Sequence, residues 1–122
     1  MKHEHITSLM AFNANLQLAH WQADTLTSAH GTLGSLYEQM TGLTDQLAEV
    51  CMGKDGNCTF EATSLHLIPG ANVKELLMEG IAITEIIRTD MRVHADLPFD
   101  DVLNILAEMV SAINRARYLL KV

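Results

Sequence analysis

The chain has 122 residues, which is one domain with enough length for a true core. Its net charge of −7, with only 8 Lys plus Arg, argues against a sequence-independent grip on nucleic acid, which needs clustered cations. The same balance suits attraction of cations, although a plainly solvated acidic surface has it too.

Hydrophobic residues make up 48% of the chain but aromatic ones only 5%, and Leu, Ala, Met and Ile favour helices over sheets. The opening M-K-H-E-H lacks the apolar run of a secretory signal. Nothing approaches the ~20 apolar residues of a membrane span, so a cytoplasmic location is expected.

Residues 3 to about 24 read as a first helix. Ile6, Leu9, Met10, Asn13, Leu16, Gln17 and His20 recur at three- and four-residue steps, which places His20 on the buried stripe. A single His on such a face is more often a hydrogen-bonded core residue than a ligand. Residues 24–28, D-T-L-T-S, form a turn in which Thr27 and Ser28 are natural helix caps. A second helix then runs to about Met52, stopped by Gly53 and Asp55-Gly56.

The core stripe of this second helix is Leu33, Leu36, Tyr37, Met40, Leu43, Leu47 and Val50. Another face carries His30, Gly31, Gly34, Glu38, Thr41, Gly42, Asp45 and Glu49. Glycine inside a helix costs ~1 kcal/mol relative to alanine. Three on one side predict that another backbone comes close, so Gly34, Thr41 and Gly42 are expected at a dimer contact.

Cys51 and Cys58 make no disulfide framework or zinc knuckle, and both read as reduced and structural. Residues 54 to about 70 form a long connection in which Phe60, Leu65, Leu67 and Ile68 would pack a short turn of helix on the bundle. Its length permits a crossover, with the third helix parallel to the second. His66 reads first as a surface loop residue.

The third helix spans 71 to about 95. Val73, Leu76, Leu77, Ile81, Thr84, Ile87 and Met91 line its buried face, and Glu75, Glu79, Glu85 and Asp90 its solvated one. Pro98 suits the first turn of a fourth helix, Asp100 and Asp101 its positive end, and Arg115, Arg117 and Lys121 its negative end. Val102, Leu103, Leu106, Met109, Val110, Ile113 and Leu120 supply its core.

Imidazole and carboxylate together suit iron, manganese or zinc better than calcium or magnesium. Asp45 and Glu49, four residues apart, share a helix face. His30 and Asp45 lie fifteen residues apart on one helix, about 22 Å at 1.5 Å per residue. One chain cannot bring both to a single metal through that helix, whereas an antiparallel second copy could. The site is therefore also a dimer hypothesis.

At His20-Trp21, His30, Asp45 and Glu49 the chain resembles the Dps branch of the ferritin-like superfamily. It also looks like the short ferritin-like proteins of large bacteriophages. The motif is His-Trp, a second His, fourteen residues, then Asp-x-x-x-Glu, here Asp45-Gln-Leu-Ala-Glu49. The resemblance implies an all-α, ferritin-like four-helix bundle over 1–122, with a long crossover between helices 2 and 3.

It further implies ferrous iron bound by His20 and His30 of one subunit and Asp45 and Glu49 of its two-fold neighbour, with ferroxidase activity and iron storage. Trp21 would sit beside the metal and intercept oxidising equivalents. The family assembles as a dodecameric cage. Where it carries an acid four residues after the second His, this chain has Gly34, so Glu38, His66 or water would have to substitute. The turn between the histidines is also shorter than the family's, and no Lys-rich tail for DNA is present. The alternative reading is a non-catalytic helical dimer or interaction module with a degenerate metal site.

Overall fold

The computed structural model describes residues 1–56, 59–94 and 98–122. It contains four helices: α1 (His3–Gln22), α2 (Ser28–Asp55), α3 (Val73–His94) and α4 (Asp100–Leu120). No strand occurs among the described residues. α1 packs on α2 and α3, and α4 packs on the same two, so the four helices form a bundle with α1 and α4 on one diagonal.

Local contacts fix the directions of neighbours. Asn13 of α1 reaches Thr44 of α2 at 2.9 Å, and His20 reaches His30, so α1 and α2 are antiparallel. Phe12 lies against Gly80 and His5 against Asp90, so α1 and α3 are antiparallel as well. Lys54 near the end of α2 donates to the Pro98 carbonyl at 2.6 Å and pairs with Asp101 at 3.0 Å, which ties it to the start of α4.

The core is a column of aliphatic side chains. Leu9, Leu16, Leu33, Leu36, Met40, Leu47, Leu77, Ile87, Leu106, Met109 and Ile113 are almost wholly removed from solvent. Each such side chain contributes about 1.5–3 kcal/mol relative to exposure. The expected stripes of α2, α3 and α4 lie in or against this column, except for Val110 of α4, which is only partly buried and stands outside it. On α4, Ile105 and Ala116 join it.

The stripe of α1 differs from expectation. Phe12 and Asn15 are buried and Met10 is 46% exposed. A helix gripped by two neighbours buries an arc wider than one periodic stripe, and the arc here turns toward α3. The Phe12 ring seats on Gly80, where a Cβ would run into it.

Several element ends also differ. α2 continues through Gly53 and stops at Gly56, whose φ of 87° leaves the helical region. An open glycine within a helix costs only ~1 kcal/mol, which a 28-residue helix absorbs. Thr27 is the N-cap of α2 but makes no cap hydrogen bond, because its hydroxyl donates to the Asp24 carbonyl at 2.7 Å. α4 begins after Pro98, with Phe99 at the cap.

No helical turn forms over 59–68, and Phe60, Leu65, Leu67 and Ile68 stay exposed. Asn15 satisfies this backbone instead, donating to the His66 carbonyl at 3.0 Å and accepting from the Ile68 N–H at 2.8 Å. Asp90 is not part of a solvated face, since His5 holds it at 2.6 Å. Cys51 is buried, while Cys58 lies outside the described residues.

Candidate metal centre

His20 is in the last turn of α1 and His30 in the first turn of α2, so the short turn at 23–27 brings them together. Their rings stack with centroids 4.0 Å apart and planes at 29°. Nδ1 of His20 lies 2.6 Å from the His30 carbonyl oxygen, and Nδ1 of His30 lies 2.8 Å from that of His20. A carbonyl oxygen only accepts, so both Nδ1 atoms carry the proton. In the neutral imidazoles both Nε2 atoms then keep a lone pair.

This is how metal-binding histidines are commonly oriented, with one nitrogen donating to a backbone carbonyl and the other facing the ion. The pair also serves the fold. The His20 carbonyl belongs to the last turn of α1 and has no partner within its own helix. The imidazole of His30 supplies one. Both rings are only partly buried, so their outer edges remain accessible.

Gly34 sits beneath His20. A Cβ on Gly34 would lie 2.7 Å from Cε1 and 2.9 Å from Nδ1 of that ring. Glycine at this position therefore makes room for an imidazole of the same chain. At Gly31 and Gly42 an added Cβ would meet nothing within 4 Å. Thr41 is exposed.

Asp45 and Glu49 are exposed on the outward side of α2. One unbroken helix separates them from His30, so Asp45 is about 22 Å and Glu49 about 28 Å along its axis. Glu38 is exposed and borders the α2/α4 groove with Gln39 and Gly42. His66 is exposed on the connecting segment, its backbone held by Asn15. Trp21 follows His20 and is 65% exposed. Among the described residues, no group of three or more His, Cys, Asp or Glu side chains is placed to hold a metal ion.

Asp45 also borders a largely apolar groove of about 420 Å³ between α1 and α2, with Ile6, Met10, Tyr37, Thr41 and Leu65. Asn13 lines it too. Its Nδ2 donates to Thr44, while its buried Oδ1 has no donor.

A polar cluster that the sequence reading missed lies at the opposite end of α1. His5 contacts Asp90 at 2.6 Å, with His94 at 3.4 Å and Lys2 at 3.8 Å from the same carboxylate. The hydrogen bond from His5, then the nearby charges of Lys2, His5 and His94, hold the Asp90 carboxyl below its ordinary value against the opposing pull of burial. The two partners are 85 residues apart, and no local pattern marks the pair.

Comparison with protein-family models, with curated proteins and with solved structures finds no match to this chain.

Proposed function

We propose that the protein is a Dps-like, ferritin-like iron-binding protein whose sites are shared between two-fold-related copies. His20 and His30 of one copy and Asp45 and Glu49 of the other form the ligand set, with the two carboxylates offsetting the charge of the cation. The carrying observation is the reciprocal imidazole pair, which commits both Nδ1 atoms to backbone carbonyls and leaves both Nε2 atoms for a metal. Two nitrogens and two carboxylates fit ferrous iron, and zinc or manganese would substitute.

The ferritin-like chain path is part of the same proposal. Its support is where the connecting segment is held: the Phe60 ring is 6.2 Å from that of His3, and the Gly70 N–H donates to Gln22 at 2.8 Å. Those anchors lie at opposite ends of α1, as a crossover between α2 and α3 requires. Bound iron would supply electrons to peroxide or dioxygen. The chain's own residues bind and orient the ion, and His20 and His30 are fixed in the ligating tautomer. A dodecameric cage would repeat this dimer contact.

The second reading is a helical dimer or interaction module with a degenerate site. Gly34 favours it, because the imidazole over that position leaves no room for a further acidic ligand. Metal analysis of untagged protein purified without chelator separates the two. The shared-site geometry has its own test in mixed chains. His30→Ala chains combined with Glu49→Ala chains should regain binding, since a heterodimer keeps one intact site. Failure of the mixture to bind metal after subunit exchange, while wild type binds, would exclude a shared site.

A further inference from the structure

We propose that Trp21 of each copy docks into the α1/α2 groove of the other, beside Met10. The inference rests on the shared-site reading for its register and extends it to a residue outside the ligand set.

The register follows from the ligand pairing. If His30 of one copy meets Asp45 and Glu49 of an antiparallel copy, the two-fold axis crosses α2 midway, near Glu38 and Gln39. The contacts His20–His30 and Asn13–Thr44 bracket that level on α1, which by interpolation is close to Leu16. Trp21 is five residues above Leu16. Across the axis it therefore lies level with the residue five below, Ala11, beside the partner's Met10.

Three observations in the single chain point to the same arrangement. Met10, Ala14, Gln17 and Trp21 recur at steps of four, three and four residues, so they share one face of α1. The first three of them line the groove and Trp21 ends the row. That face and the groove beside it are unusually apolar for a solvent surface, with Met10 46% and Trp21 65% exposed on α1 and Leu65 of the connecting segment 37% exposed. An indole docked there would bury about 150–250 Å². Asn13, which lines the groove, has a buried acceptor without a donor. The indole N–H is a donor only, and it is the one polar group that Trp21 would bring.

Trp21 is the sole tryptophan of the chain, so its fluorescence reports on this contact alone when excited beyond tyrosine absorption. The measurement uses metal-free protein in chelator, with sedimentation equilibrium to place monomer and dimer on the concentration axis. On dimerisation, emission should move to shorter wavelength and acrylamide quenching should fall severalfold. Met10→Glu in the groove and Ala14→Arg near the axis should each weaken the dimer by about tenfold or more and return Trp21 to its monomer quenching. Circular dichroism checks that both variants keep their helices, and Met78→Glu on the far side of the bundle should change nothing.

A dimer whose Trp21 is quenched as readily as in the monomer overturns the proposal. So does a chain that stays monomeric, or a folded Met10→Glu dimer as tight as wild type. A metal-loaded dimer with exposed Trp21 sinks this inference alone. A dimer with protected Trp21 that takes up no metal supports it and sinks the metal reading instead.

Discussion

His20 fills the space over Gly34 that any other residue would claim for its own side chain, with Cε1 2.7 Å from where a Cβ would stand. Gly34→Ala gains ~1 kcal/mol of helix propensity and loses a comparable amount as the imidazole is pushed from its hydrogen bond. Stability should therefore move little, while the ring nitrogen signals of His20 and His30 shift and metal affinity falls. Gly31→Ala and Gly42→Ala, where space is open, should stabilise the chain by up to ~1 kcal/mol. Urea melts together with imidazole NMR check both halves. Unchanged His20 signals in Gly34→Ala would show that the ring does not need the glycine.

Gly80 behaves differently because Phe12 is packed on it from inside the core. Gly80→Ala should destabilise the protein by about 1–2 kcal/mol despite its better helix propensity, since the ring and its neighbours must shift. Phe12→Leu in the Gly80→Ala background should recover part of the loss. If Gly80→Ala melts at higher denaturant than wild type, the contact between α1 and α3 is looser than described.

The contact of His5 with Asp90 makes stability depend on acid. Asp90 has a depressed carboxyl value in the folded state, so its contribution is complete above its ordinary unfolded value of about 4. That contribution is lost as pH falls through the lower folded value. Asp90→Asn should cost about 1 kcal/mol near neutrality and flatten the acid limb of the stability curve. His94→Ala should do less, since His94 is mostly exposed and 3.4 Å away. An acid limb of unchanged steepness in Asp90→Asn would assign the pH dependence to other carboxylates.

Duplex DNA should bind negligibly at ~0.15 M salt, because a net charge of −7 offers few cations to release counterions. A gel-shift titration with a mixed-sequence duplex is sufficient. Tight retention under those conditions would mean that the 8 Lys and Arg are gathered on one face.

Four helices were legible from the sequence because helical periodicity and end signals are local. Leu33, Leu36, Met40 and Leu47 declare one buried stripe wherever α2 is placed. The nearness of His20 to His30 was legible for the same reason, since a short turn between antiparallel helices allows nothing else. Distance along α2 likewise separates His30 from Asp45 before any packing is known.

The tertiary structure decided what depends on neighbours remote in the chain. Burial of Phe12 followed from α3 covering one side of α1, and burial of Asn15 from the connecting segment that it binds. Asp90 looked solvated until α1 brought His5 to it across 85 residues. Segment 59–68 stayed irregular because two backbone groups found Asn15, a partner outside the segment. Gly34 read only as a place of close approach, and the structure brings the His20 ring of the same chain over it. Periodicity tells which face is apolar, but only packing tells which atom comes to rest against a missing side chain.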